Sequence, residues 1–202
     1  MNNVNERNTI AIKFPDSMTK LPPFDNYLTY QRYQNREIYL NDVVDDWVID
    51  DIVSAIYEYN SADTDIPVEE RKVIKIYVNT NGGAIDSCMA LLGAMRTSKT
   101  PIHTIVQGKA YSAGSLILLA GHHRVAYQES VILIHEGYMG FSNASSKARD
   151  YVEFTERQEE KIKQFILSKT KITSEQYDEK YRKEWYMLAE DALALGIVDE
   201  II

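Results

Sequence analysis

Val73-Ile-Lys-Ile-Tyr-Val-Asn-Thr-Asn-Gly-Gly-Ala84 opens as an apolar strand and breaks on a double glycine. The segment after it, through Thr97, carries Ile85, Cys88, Leu92 and Met95 at three- and four-residue spacing, the repeat of one helix face. Pro101–Gly108 (PIHTIVQG) then reads as a second strand, and Ser112–Ala120 (SAGSLILLA) as a short apolar helix. Strand, helix, strand and helix follow one another with no linker between them, which is the sequence pattern of an α/β domain.

Working outward, the same alternation continues on both sides. Upstream, Glu37–Leu40 is a short strand, and Asp45–Asn60 places Ile49, Ile52, Val53 and Ile56 on one helical face. Ser61–Lys72 is polar with one proline and reads as a surface loop. Residues 1–23 are polar, are punctuated by Pro15, Pro22 and Pro23, and are expected to form a flexible arm. Downstream, strands are predicted around Arg124–Gln128 and Val131–His135, followed by a flexible break at Gly137–Ser142. A long amphipathic helix spans Ser145–Lys169, with Tyr151, Phe154, Ile162 and Phe165 expected inward and a mixture of Glu, Lys and Arg outward. Thr173 and Gln176 have the spacing of a capping box. Ala189–Leu195 is a helix stopped by Gly196, and Ile197–Ile202 is a closing strand. The expectation is one α/β domain over residues 24–202.

Composition narrows the function. The chain has 202 residues, with Lys+Arg 22 against Asp+Glu 30, a net charge of −8. Wrapping a phosphate backbone needs a basic face, so nucleic acid is disfavoured as a partner. The single cysteine, Cys88, excludes an internal disulfide and any multi-cysteine metal site. No apolar run approaches the roughly 20 residues of a membrane span, and the N-terminus lacks a secretory core. A cytoplasmic protein without metal or cofactor is expected.

The chemistry-bearing stretch is Gly108-Lys-Ala-Tyr-Ser-Ala-Gly-Ser115, where a strand gives way to an apolar helix. Ser112 sits at that corner, and the N–H of Ala113 lies in the first helical turn, where no intrahelical acceptor exists. A serine nucleophile needs an exposed hydroxyl and donors aimed at the oxyanion its attack creates. A serine in this position is equally an N-cap, and the local sequence leaves both roles open. Gly82-Gly83 removes two Cβ atoms after an apolar strand, a geometry suited to an oxyanion hole, a phosphate site or a plain tight turn. Among the four histidines, His135 ends an apolar strand beside a flexible segment, where an imidazole emerges to act as a base or is held structurally. Gly93–Thr100 (GAMRTSKT) imitates a phosphate loop, but it ends a helix where a phosphate loop opens one.

Taken together, Ile76–Gly83, Gly108–Gly114, Leu119-Ala-Gly121, Val131–His135 and Ala189–Asp199 resemble the proteolytic subunit of the Clp protease, ClpP, from about Phe24 to Ile202. The resemblance implies a ClpP/crotonase-like fold of repeated β-β-α units with a protruding strand–helix handle, here about 136–169. It implies a serine endopeptidase acting on unfolded polypeptides, with Ser112 as nucleophile, His135 as general base, and Gly83 and Ala113 supplying the oxyanion-hole N–H groups. It further implies a homo-oligomer, a heptameric ring alone or stacked in two, whose axial pores are lined by the N-terminal arms. A separate AAA+ unfoldase would feed it, and Tyr77 matches one aromatic position of the docking pocket. Aligned without gaps from Gly196 back to Thr173, the family's triad aspartate falls on Lys180. Asp178, Glu179 and Glu184 are the alternative acids, Asp178 being placed first. The same resemblance also accommodates a catalytically weak ring subunit with an assembly role. A crotonase-like acyl-CoA enzyme would use the double glycine but leave Ser112 and His135 without a joint purpose.

Overall fold

The computed structural model describes residues 24–137 and 145–202. The chain divides into two compact units, residues 1–35 and 36–202. Of the first, one helix is described, α1 (Phe24–Asn35). The sequence reading assigned no element there, because the segment has a single aliphatic residue, Leu28, and so no apolar stripe. The expected N-terminal arm lies outside the described residues.

The second unit runs β1 (Glu37–Leu40), α2 (Asp46–Ala62), β2 (Ile74–Thr80), α3 (Ile85–Thr97), β3 (Ile102–Tyr111), α4 (Ala113–Ala120), β4 (His123–Ala126) and β5 (Val131–Ile134). It continues with α5 (Ser145–Lys169), α6 (Ser174–Lys180), β6 (Trp185–Leu188), α7 (Ala189–Ala194) and β7 (Glu200–Ile201). Strands β1-β2-β3-β4-β7 form a parallel sheet in that order. The α/β expectation therefore holds, with a parallel-dominated sheet. Strand β2 buries Ile74, Ile76, Val78 and Thr80 on one face, the period-2 pattern of a pleated strand. Helix α2 buries Ile49, Ile52 and Ile56 in the core, and α3, packed between α2 and α4, buries Leu91 and Met95. All eight residues of α4 are buried, as the unbroken apolar run SAGSLILLA requires of a helix with no solvent face.

The ten-residue strand β3 is where the sheet forks. Its first half pairs β4 (His103–Val106 with His123–Ala126), whereas Lys109–Tyr111 pairs with Val131–Leu133 of β5. β5 in turn pairs antiparallel with β6. The sequence reading ended this strand at Gly108 and missed β6. Both errors have one cause, because the extra residues are held extended by partners distant in the chain.

Other expectations shift in detail. The segment read as a surface loop hides Asp63, which is 1% exposed and accepts two hydrogen bonds from the Arg36 guanidinium at 2.5 and 2.6 Å and one from Thr100 Oγ1 at 2.8 Å. Helix α5 has the expected bounds, and Ile162 and Phe165 pack against the core with Ile166 fully buried. Tyr151 and Phe154, however, are 39% and 53% exposed. The Thr173–Gln176 capping box forms as predicted and opens α6. Tyr77 lies half-buried on β2 and stacks on Tyr39 of β1, with ring centroids 4.7 Å apart. The strand portion of the expected handle falls largely on residues 138–144, outside the described residues.

Candidate active site

Ser112 occupies the joint between β3 and α4 with φ 53° and ψ −121°, a left-handed φ that L-residues rarely adopt. Such backbone costs on the order of 1–3 kcal/mol and persists only where surroundings hold it. Here Ser112 N–H donates to Leu133 O (3.0 Å), and Ser112 O accepts from Ser115 N–H (2.9 Å) and Ser115 Oγ (2.7 Å). The hydroxyl of Ser112 makes no capping hydrogen bond, although the residue stands at the N-cap position. Of the two roles left open, the capping bond is therefore not made, and the residue is half-buried. Ser115, within the first turn, spends its side chain on supporting the corner.

Two glycine positions explain how close the neighbouring loop comes. A Cβ on Gly82, whose φ is 91°, would lie 2.6 Å from Tyr111 O and 2.8 Å from Ser112 Cβ. On Gly114 it would lie 2.6 Å from Thr80 Cγ2. The double glycine is therefore an approach surface for the β3–α4 corner as well as a turn. Beside it, Val44 N–H donates to Gly82 O (2.9 Å) and Ala84 N–H to Val44 O (2.7 Å), a parallel bridge that turns the Gly83 N–H away from Val44. Among the described residues neither the Gly83 nor the Ala113 N–H donates to a protein acceptor. Both residues line one cavity with Ser112 and His135, of about 430 Å³.

His135 follows the last residue of β5. Its Nδ1 lies 2.9 Å from Glu184 Oε1. The register explains the pairing. β5 and β6 align Val131 with Leu188 and Ile134 with Trp185, so the next step along the antiparallel ladder sets His135 opposite Glu184. Asp178, placed first among the candidate acids, is instead held by Lys163 Nζ at 2.6 Å, and Lys180 and Glu179 face each other on the surface at 3.5 Å. The gapless alignment puts a cation where the carboxylate is expected; in the fold the acid paired to His135 is Glu184, and Lys180 pairs with Glu179. The sequence carried a signal for this. Trp185-Tyr-Met-Leu188 has the aromatic and apolar content of a strand, and pairing it with Val131–Ile134 fixes the acid by counting.

Ser112 and His135 share the cavity, yet among the described residues no hydrogen bond joins the serine hydroxyl to the imidazole. Such contacts are often long before substrate arrives and tighten in the reacting complex. Cys88 is fully buried against this wall, its thiol 3.5 Å from Ala113 O and its pKa pushed up to about 12 by burial. It is packing, as its place on the inner helix face implied. The phosphate-loop imitation is spent internally: Asn60 Oδ1 accepts the N–H groups of Lys99 (2.8 Å) and Thr100 (3.1 Å). Among the described residues no cluster of His, Cys, Asp and Glu suits a metal ion, and no helix is long and apolar enough to cross a membrane.

A strained serine corner, an imidazole paired to a carboxylate and two residues whose backbone N–H groups have no protein acceptor among the described residues line one cavity. A family model described as Clp protease matches residues 25–202, which takes in every element from α1 to β7 apart from Phe24 itself. The chain belongs to the Clp protease family, and the peptidase domain it contains is ClpP-like.

Proposed function

We propose that this protein is a serine-type endopeptidase that hydrolyses unfolded polypeptides, with Ser112 as nucleophile and His135 as general base. The observation that carries the reading is Ser112 itself, held at φ 53° with an uncapped hydroxyl and lining one cavity with an imidazole that is paired to Glu184. In the reaction, Ser112 Oγ attacks the scissile carbonyl carbon while His135 Nε2 takes its proton. Glu184 holds the imidazole through Nδ1 and stabilises the imidazolium that forms. The negative charge on the carbonyl oxygen is met by the N–H groups of Gly83 and Ala113, where one such donor is worth roughly 3–4 kcal/mol. His135 then returns the proton to the leaving amine, and water repeats the sequence on the acyl-enzyme.

The working unit in this reading is a homo-oligomeric chamber, a heptameric ring alone or stacked in two, fed in the cytoplasm by a separate AAA+ unfoldase. Family membership supports it, as do the apolar side chains Val152 and Phe154 that this chain leaves exposed on α5. A fluorophosphonate that labels wild-type protein and not Ser112→Ala tests the nucleophile. Loss of turnover of a fluorogenic peptide in the same variant tests the chemistry. A second reading, a ring subunit with an assembly role and little catalysis, draws on Lys180, the cation that falls on the resemblance's triad-aspartate position when the segment is aligned without gaps. Equal peptide turnover by wild type and Ser112→Ala would favour it.

A further inference from the structure

We infer that a second cavity, between α3, α4 and α5, is a binding site for an aliphatic carboxylate, its chain lying on the apolar wall and its head meeting Arg96, His122 and Lys169. Nothing in this site depends on the chemistry of Ser112.

The cavity holds about 680 Å³, more than the one beside Ser112 and within the roughly 300–1,000 Å³ of small-molecule sites. Its lining follows one face of each helix. α3 contributes Met89, Leu92 and Arg96 at three- and four-residue spacing, and α4 contributes Leu116 and Ala120. α5 contributes Ile162, Phe165 and Lys169 by the same spacing. A Cβ built on Gly93, which also faces this space, would meet nothing within 4 Å.

Topology gives the cavity two ends. β2, β3 and β4 are parallel neighbours, so the helices between them, α3 and α4, both run back to the edge where β3 and β4 begin. Arg96, in the last turn of α3, and His122, just past α4, stand at that edge. His122 is tied there by Ile102, whose N–H donates to its Nδ1 at 2.9 Å. α5 ends at the same edge, because Arg124, the second residue of β4, donates to Lys169 O at 2.7 Å. Met89 and Ile162 lie two turns back along their helices from Arg96 and Lys169, about 10 Å away. Leu116 and Ile162 also line the cavity beside Ser112, so the apolar end is the one toward the serine.

The charges are one-sided. Among the described residues lining the cavity there is no Asp or Glu, on a chain of net charge −8. The side chains of Arg96 and Lys169 have no ion pair or hydrogen bond among the described residues. Because Nδ1 of His122 accepts from Ile102, the neutral ring carries its proton on Nε2, a donor with no protein acceptor among the described residues. A cation in the last turn complements a helix dipole, which accounts for Arg96 and Lys169 taken singly. It does not account for two such ends and an imidazole N–H gathered at one end of a carboxylate-free cavity. Lys161, the remaining cation of the lining, is exposed and lies two turns back along α5.

The complementary ligand is apolar along its length and anionic at one tip. A carboxylate accepts two parallel bonds from a guanidinium such as that of Arg96, and further ones from Lys169 and from His122 Nε2–H. Its methylenes cover the apolar wall of Leu92, Leu116 and Ala120. An aliphatic alcohol would keep the apolar contact and lose the charge pairing, and an aliphatic cation would meet like charge.

The test is calorimetric titration of the full-length protein with octanoate, decanoate, decan-1-ol and decyltrimethylammonium, each below its micellar concentration. Decanoate is expected to bind once per chain and about tenfold more tightly than decanol. Octanoate, shorter by two methylenes, should bind about tenfold more weakly than decanoate, and decyltrimethylammonium should not bind. Arg96→Gln and Lys169→Gln, both on exposed side chains, should each weaken decanoate by about three- to fivefold and together by about tenfold, with decanol unchanged. No decanoate binding, decanol binding as tightly as decanoate, or a decanoate affinity that survives the double variant overturns this inference. A larger loss in Lys161→Gln than in either single variant does so too, since it puts the head at the other end. Blocking Ser112 with a fluorophosphonate should leave decanoate affinity unchanged; binding lost on labelled protein would place the carboxylate in the cavity beside Ser112 and overturn this assignment. If Ser112 does not label, the peptidase reading fails and the charge variants alone decide this site.

Discussion

Replacing Glu184 by Gln removes the charge opposite His135 and keeps the side-chain shape. The size of the effect follows from two numbers. The carboxylate sits 2.9 Å from Nδ1, which places the charge centres of a Glu184–imidazolium pair about 4 Å apart, worth ~1 kcal/mol in water and ~4 kcal/mol at the effective dielectric of a protein surface. The imidazole is 15% exposed and the carboxylate 51%, so the pair lies between those limits, about 2–3 kcal/mol. That corresponds to a fall in kcat of roughly 30- to 150-fold. It is well short of the ~10⁴-fold seen when a buried triad acid is neutralised, because water already screens this one. The assay is steady-state hydrolysis of a fluorogenic peptide, with kcat and KM resolved. The fall should appear in kcat, since the charge it stabilises exists only in the transition state. Glu184→Asp should recover part of the rate, and Asp178→Asn should change it by less than about threefold, because that carboxylate is held by Lys163. Full activity in Glu184→Gln, or a large loss in Asp178→Asn with Glu184→Gln unaffected, would refute the register argument that selects the acid.

Two further outcomes are expected away from the proton relay. Arg36→Met strands the buried Asp63 carboxylate and should destabilise the fold by about 3–5 kcal/mol in denaturant titration at neutral pH, with Asp63→Asn added to it recovering part. The guanidinium hydrogen bonds hold the Asp63 carboxyl below its ordinary range. The stability they confer is therefore present above the unfolded carboxylate value of about 3.9 and disappears as pH falls through the lower folded value. The gap between wild type and Arg36→Met should accordingly close in acid and stay open in base; a gap independent of pH would count against the pairing. Gly82→Ala forces a Cβ to 2.6 Å from Tyr111 O at a φ of 91°, and fluorophosphonate labelling of Ser112 should slow by about tenfold or more. Gly93→Ala, with nothing within 4 Å of the new carbon, should label normally and gain a few tenths to about 1 kcal/mol in stability.

The alternation of strand and helix, the bounds of α5, the capping box at Thr173 and the inert Cys88 were legible because each rests on local rules: periodicity, caps and burial of a face. Tyr151 and Phe154 went wrong because a stripe states that a face is apolar and leaves open what covers it. Asp63 was hidden in a polar run because its partner, Arg36, lies far back in the chain. The site divides the same way. Ser112, Ala113, Gly83 and His135 announce themselves at strand ends and helix starts, where the backbone has groups to spare. That they line one cavity is a property of the fork in β3, which sends half the strand to β4 and half to β5.

The sequence by itself determined the elements, the family resemblance and the residue types able to do chemistry, since those depend on neighbours within a few positions. Only the tertiary structure decided which acid faces His135. An antiparallel register between β5 and β6 pairs residues by the sum of their positions, and a gapless alignment along one segment has no access to that sum. It also decided that the Ser112 hydroxyl is left uncapped, because the strained corner is held by Leu133 and Ser115 and takes nothing from its own side chain.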